Sequence, residues 1–543
     1  MKKELIISAL LLAAGAAYAQ NLNPVVEVTG VYAREATGIE KPSQPKALPD
    51  SVFKFNLDFD YSVKSTPYKG AYEFNPYLVT MRPGARLSGE QKLYLKAGAG
   101  YSLHPELDLV WNPVRTRNFR FNIYALHGSY IGSYRNIAKQ DGVYAWDGSL
   151  KQGSGLNART RVGMDLLYAF KGGELYADLQ YRNVAATDFF LAADPSTVMH
   201  HKGQLRAGIR SNAAARFQYG LNTRVAYLMG PSDKEFHTVT DLSLGLRTGS
   251  RNAFRIDAGA ESVSFGAGYA LKFEAAPHYV LSGERFNMDL GAKFSFVTRS
   301  DAALYPFKSG FVFPDVYISF RIADAAVLQA AATGGDRLNS YDSLLERNPY
   351  LGSFLWHRDV TVERFNIMAG LRGSAAGRFS YDLRAGYQLV SNEFGWSYYN
   401  NGELSMAYVS PLSTIYGQLQ LGWNSEHWDV SAFVKYGYTP MPTLETEVEK
   451  NVFAPASFRG NGHVFYKWGG RIKLGATLEG RSKLRSHTPV PGYLDLGAYA
   501  EYAFGRRLAF WLKGGNLLNQ SIQRLPFVVE GGIYGTAGIR LVL

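Results

Sequence analysis

"FNIMAGLRGSAAGRFSYDLRAGYQL", Phe365 to Leu389, carries two runs of alternating character around a glycine-containing connection. Phe365, Ile367, Ala369 and Leu371 share one parity. After Gly373 to Gly377 the alternation resumes with Phe379, Tyr381, Leu383, Ala385, Tyr387 and Leu389. Asn366, Arg372, Ser380, Asp382, Arg384 and Gln388 fall between them. A period of two is the signature of a strand with unlike faces, and two such strands around a short turn make an antiparallel hairpin. A half-buried sheet in water alternates too, so one hairpin does not choose between a sandwich and a barrel.

The pattern continues in both directions. Leu93, Leu95, Ala97, Ala99 and Tyr101 share a face, Phe119, Phe121, Ile123 and Ala125 open another strand, and Val162, Met164, Leu166, Tyr168 and Phe170 a further one. Gly172 and Gly173 are expected to supply the positive φ of a tight hairpin before Leu175, Ala177, Leu179 and Tyr181. At the far end "EGGIYGTAGIRLVL", Glu530 to Leu543, alternates again. Strands starting between residues 91 and 533 number about 22, within a range of roughly 18 to 22. Short turns are expected at Arg115–Asn118, Gly172–Gly173, Gly373–Gly377 and Gly505–Arg507. Long connections near 132–159, 184–202, 298–314, 334–363, 391–410, 439–452 and 517–532 all fall on the opposite side.

The start of the chain says where such strands would sit. Lys2 and Lys3 precede an apolar run from Leu5 to Ala17, and small residues flank Tyr18, which reads as a signal peptide over 1–19. The chain has 36 Tyr, 32 Phe, 56 Gly and no Cys, which excludes a disulfide framework and thiolate metal sites. Its mean hydropathy is only −0.16, as expected when apolar and polar faces cancel. A sandwich array or β-solenoid would not keep so regular an alternation with so many glycines and aromatics. The expected fold is all-β, a transmembrane antiparallel β-barrel over 91–543 in a bacterial outer membrane. Both termini are then periplasmic, the short turns periplasmic and the long loops external. The last strand must pair with the first, because lipid cannot satisfy an open edge. Lumen-facing Lys96 is expected near Thr536 or one of its neighbours. On parity, arginine at Leu541 would block insertion, whereas Arg540→Leu would remove only a solvated charge.

"LAFWLKGGNLLNQSI", Leu508 to Ile522, with "GNLLNQ" at its centre and a terminal alternating strand after it, resembles the end of a TonB-dependent receptor barrel. "NPVVEVTGVYAREA", Asn23 to Ala36, is similar to the segment that precedes the plug in those receptors. The resemblance implies a TonB-box-like element at Val25, Val26, Glu27, Val28 and Thr29; a plain strand reads the same residues equally well. Residues 20–90 are too few for a full plug of that family, so the plug is expected to be truncated or missing. The resemblance further implies transport of a solute, contact with TonB, and insertion by the barrel assembly machinery. That machinery usually reads a terminal aromatic side chain where this chain has Leu543.

A wide barrel leaks unless something fills it. Phe53, Phe55, Leu57, Phe59 and Tyr61 alternate with Lys54, Asn56, Asp58 and Asp60 ahead of the barrel, as either a reduced plug strand or a wall or periplasmic strand. Pro42, Pro45 and Pro49 make 38–50 an extended linker.

No catalytic constellation stands out. The ten His are scattered, His200-His201 reads as a loop-end polar pair without a third ligand, and Gly153-Ser154-Gly155 lacks the strand and helix of a nucleophile elbow. No enzyme activity, cofactor or metal is expected. Lys plus Arg number 58 against 46 Asp plus Glu. Outside the cell this excess does not point to nucleic acid. It suits rim cations on lipopolysaccharide phosphates, or lumenal Arg372, Arg384 and Arg540 favouring an anionic solute, or ordinary solvated charges. Two roles remain open: a transport or channel barrel, and a non-conducting structural subunit of an outer-membrane complex.

Overall fold

The computed structural model describes residues 92–543, apart from 102, 189–195, 213–214, 232–233, 267, 302–303, 351–359, 376–377, 399–403 and 441–451. The expectations for the signal peptide, for Val25 to Thr29, for 38–50 and for Phe53 to Tyr61 lie outside the described residues.

The strands are β1 (Leu93–Tyr101), β2 (Glu106–Arg115), β3 (Phe119–Gly132), β4 (Arg135–Gln140), β5 (Val143–Leu150), β6 (Gly155–Phe170), β7 (Gly173–Asp188), β8 (Ser196–Ser211) and β9 (Phe217–Met229). There follow β10 (Lys234–Arg247), β11 (Asn252–Phe265), β12 (Gly268–Ser282), β13 (Phe286–Asp301), β14 (Leu304–Ala323), β15 (Ala326–Leu338), helix α1 (Tyr341–Arg347), β16 (Val360–Ala375) and β17 (Phe379–Ser391). The last are β18 (Glu393–Tyr398), β19 (Leu404–Val409), β20 (Leu412–Asn424), β21 (Trp428–Tyr438), β22 (Phe458–Trp468), β23 (Ile472–Arg481), β24 (Tyr493–Ala503), β25 (Leu508–Gly515) and β26 (Tyr534–Val542).

Twenty-two of these form one antiparallel sheet closed on itself. Each pairs with the next; β3 skips to β6, β17 skips to β20, and β26 returns to β1. Closure leaves no edge unpaired, which is what lipid requires. At the seam Tyr94 faces Val542 and Tyr101 faces Gly535, so Lys96 stands opposite Arg540, and Thr536 opposite Gly100. The terminal Leu543 carbonyl accepts the N–H of Leu93 at 3.0 Å, and its own N–H donates to the Leu93 carbonyl at 2.9 Å. On the inner side of the seam Trp511 of β25 lies across two glycines. A Cβ on Gly98 would meet its ring at 2.4 Å and one on Gly538 at 2.5 Å, so neither position has room for a side chain. The Trp511 indole N–H donates to the Ile539 carbonyl at 3.2 Å.

The alternation sorts side chains as a membrane demands. Ile367, Leu383, Phe273, Leu328 and Leu512 are exposed on the outer face, whereas Lys96, Asp382, Gln388 and Arg540 are buried on the inner one. Outward apolar residues meet lipid, while an outward Arg or Lys at mid-bilayer costs roughly 2–4 kcal/mol. Among the described residues no helix is long and apolar enough to cross a membrane; the strands do the spanning.

Three local expectations are corrected. The stretches 184–202 and 298–314 are mostly strand rather than loop, because β7, β8, β13 and β14 run far toward the loop end. Gly172 and Gly173 do not have positive φ; at Gly173 the need is space, since a Cβ there would meet the Arg210 carbonyl oxygen of β8 at 2.1 Å. Gly373 lies within β16, opposite Tyr381, and the turn comes after Ala375. Gly505, at φ +100, is a turn glycine as expected.

Candidate functional site

Connections at one end of the barrel are short; at the other end those after β9, β11 and β13 are short as well, whereas described residues of the longer ones, from β3 to β6, β15 to β16, β17 to β20, β21 to β22, β23 to β24 and β25 to β26, pack together across its mouth. The connection from β3 to β6 is a hairpin, β4–β5, turning at Asp141-Gly142 with φ +48 and +78, as a two-residue turn between twisted strands needs. The connection from β17 to β20 contains the hairpin β18–β19. Their aromatic side chains meet those of other loops in one buried cluster. Tyr144 packs edge-on against Phe527 at 4.5 Å and against Tyr398 at 5.4 Å between ring centroids, and Phe453 adjoins Tyr398 at 5.2 Å. Polar contacts tie the same pieces. Gln523 donates to the Tyr144 carbonyl at 2.9 Å, the Thr488 N–H donates to Tyr398 Oη at 2.8 Å, and Phe453 N–H donates to the Trp396 carbonyl at 2.8 Å. Arg135 donates to Asn519 Oδ1 at 2.8 Å and Ser521 Oγ at 3.0 Å, its guanidinium 4.2 Å from the Trp146 ring. Loops far apart in sequence thus make one cap with an apolar core, held by burial rather than by any covalent link.

Helix α1, in the connection from β15 to β16, fastens this cap to the opposite inner wall. Ser340 is its N-cap, accepting from the Ser343 N–H at 3.1 Å. Glu235 of β10 accepts the Tyr341 N–H at 2.6 Å, and Leu344 and Leu345 enter the aromatic core. Asp342 takes Lys202 of β8 at 2.6 Å and pairs with Arg182 of β7; Glu346 pairs with Arg182 at 2.9 Å. Burial alone would raise the Asp342 carboxyl, but the two cations overcome it and hold the group well below the ordinary carboxylate range. At the helix end Arg347 reaches the Glu393 carboxylate at 3.5 Å and the Phe394 carbonyl at 3.4 Å. Helix α1 lies within a stretch expected to be a long loop, although Ser340, the early Asp342 and the late Arg347 are helix start and stop signals.

The three lumenal arginines singled out from sequence lie on inward parity of separate strands and are not brought together. Arg384 is held by Asp382 at 2.5 Å, and Arg540 by Glu501 at 2.8 Å with both side chains buried. Arg372 stands opposite Val327 and Asp382 in the same wall. Other lumenal charges are similarly paired, as Lys513 with Glu106 at 2.6 Å and Arg255 with Asp289 at 2.8 Å. His200 and His201 are strand residues rather than a loop-end pair. His200 points inward to Tyr341 Oη at 2.7 Å and His201 outward to Tyr181 Oη at 2.7 Å, so they cannot share an ion. Among the described residues no three His, Cys, Asp or Glu are placed to hold a metal.

No family model matches the sequence, and no curated protein is similar to it in sequence. Solved structures share its fold. The FrpB iron transporter of Neisseria meningitidis superposes with a TM-score of 0.65 at 9% identity, covering 84% of this chain and 82% of that one. The siderophore receptor PiuA of Acinetobacter baumannii gives 0.59 at 9% identity, with 84% and 82% covered. The ferric-catecholate import receptor Fiu of Escherichia coli K12 gives 0.58 at 10% identity, with the same coverage. The resemblance to the barrel of TonB-dependent receptors is therefore one of fold, at an identity too low to carry site residues across.

Proposed function

We propose that this chain is an outer-membrane transport barrel of the receptor type, which recognises a solute at the folded loop cap and passes it through the lumen. One observation carries the reading: a closed 22-stranded barrel whose loops fold into a packed cap over one mouth. A lumen of that width would leak if left open, and a folded cap suits a gate. The similar structures are named for iron and siderophores; what transfers to this chain is the class of activity, not the solute. In this reading the capped end is external and both termini are periplasmic. Outer-membrane lipid and lipopolysaccharide surround the wall, and the barrel assembly machinery inserts it. Residues 20–90 form a reduced plug, and Val25 to Thr29 meet TonB. Arg372, Arg384 and Arg540 then belong to the lumen wall, where Asp382 offsets Arg384 and Glu501 offsets Arg540, and any bias toward anions comes from the basic excess of the whole chain. No chemical step is assigned to the chain.

The density of the cap's core favours one second reading, a non-conducting barrel that serves as a subunit of an envelope complex. Planar-bilayer conductance separates the two. The full chain is expected to be closed or to flicker, and removal of residues 20–90 to give sustained openings. A barrel silent in both forms, and silent still after the cap core is broken by Phe453→Asp, would leave only the structural role.

A further inference from the structure

Three cations stand abreast on neighbouring strands below the cap. Arg161 of β6 is directly opposite Arg182 of β7, and Arg182 is directly opposite Lys202 of β8. Like charges facing each other across strands destabilise a sheet unless anions offset them. Two residues from Arg161 toward the loop end, Arg159 has its Nη2 shielded from solvent with no hydrogen-bond partner. Further down the wall Arg206 faces Arg224. The carboxylates that meet Arg182 and Lys202 come from α1: Asp342 touches both, and Glu346 touches Arg182.

We infer that this basic ladder is a binding site for a small polyanion, and that α1 is its resident competitor. Asp342 and Glu346 are four residues apart, one helical turn, which sets their side chains about 6 Å from each other. Adjacent strands present their cations at a similar interval, about 5 Å. A solute carrying two oxyanion groups at that spacing reproduces what α1 offers. Arginine forks suit carboxylate and phosphate alike, so the shared chemistry is a compact di- or polyanion. Glu346 is 62% exposed, so exchange can begin at the Glu346–Arg182 pair while Asp342 is still engaged. Displacing α1 also withdraws Leu344 and Leu345 from the cap core, so binding and loosening of the cap are one event. The assignment rests on the transport reading, to which it adds a substrate class and a gate.

Calorimetry on the purified full chain in detergent tests it, with tripolyphosphate and tricarballylate as probes and acetate as the monoanion control. The double variant Asp342→Asn, Glu346→Gln is expected to bind at least one probe tenfold or more tighter than the native chain. Adding Arg182→Gln and Lys202→Gln should abolish that binding. The tighter of the two probes identifies phosphate or carboxylate as the source. An unchanged affinity in a double variant that keeps the heat-modifiable gel mobility of a folded barrel overturns the inference, as does binding that survives loss of Arg182 and Lys202. Should the double variant not fold, hydrogen exchange of residues 341–347 in the native chain decides: saturating probe should speed it, and unchanged protection overturns the gate. Binding is read without a membrane. A chain that binds but never conducts sinks the transport reading alone, and one that conducts but never binds sinks the ladder alone.

Discussion

Arg540 is where parity and environment part company. Alternation alone makes it a wet lumenal charge that leucine could replace, yet its guanidinium and the Glu501 carboxylate are both buried and joined at 2.8 Å. Arg540→Leu leaves the buried Glu501 carboxylate without its cation, holding only the hydrogen bond donated by Tyr499 Oη at 2.7 Å, and removing one member of a buried pair costs about 3–5 kcal/mol. Leu541 lies one residue from the end of β26, where a lipid-facing arginine costs only about 0–1 kcal/mol. The expected order is thus reversed: urea unfolding in lipid should show Arg540→Leu less stable than Leu541→Arg, with Glu501→Leu restoring much of the loss in the double variant. Asp342 makes a second prediction. Its depressed carboxyl contributes stability that is full above the ordinary range near pH 4 and is lost progressively as pH falls from there to the lower folded value. Amide protection factors across 341–347, taken relative to the intrinsic exchange rate at each pH, should therefore be as high at pH 5 as at pH 7; a fall in protection at pH 5 would show that the two cations do not hold α1.

Strands were legible because each spans a membrane and must alternate over its whole length; Phe365 to Leu389 announced β16 and β17 without help from any contact. The cap was not, because its hairpins and α1 pack on one another rather than on lipid, and their short runs carry no sustained period. Asp141-Gly142 and Ser340 were local signals inside stretches that read as loop. The lumenal site was hidden for another reason: inward parity identifies Arg182 and Lys202 as readily as Arg372, but the partner that distinguishes them, Asp342, arrives from a loop 160 residues away in sequence for Arg182. Register was equally out of reach, since sequence does not fix shear. Lys96 faces Arg540 directly, whereas Thr536 is four residues along β26, about 13 Å. Lys96→Cys with Arg540→Cys should form a disulfide in membranes, and Lys96→Cys with Thr536→Cys should not; the opposite yields would mean a seam shifted by four residues.

For the whole barrel the expected orientation has the capped end outward. Gln140, at the tip of β4–β5, and Glu426, in the short turn between β20 and β21, are exposed at opposite ends of a chain with no native cysteine. On intact cells an impermeant maleimide should label Gln140→Cys and leave Glu426→Cys untouched until the membrane is opened; the reverse would turn the barrel over. The Trp511 ring across Gly98 and Gly538 bears on how such a wall comes into being. The last strand can lie against β25 before it ever meets the first, with the indole already in place and waiting. When β1 then arrives, a slip of one residue would turn Ala97 or Ala99, which belong to the lipid side, toward the ring, and a slip of two in one direction would push Lys96 beneath it. The indole thus acts as a gauge of register at the seam: it leaves room for a glycine and none for Ala97, Ala99 or Lys96, so closures slipped by one residue, or by two toward Lys96, meet a clash that the native closure does not.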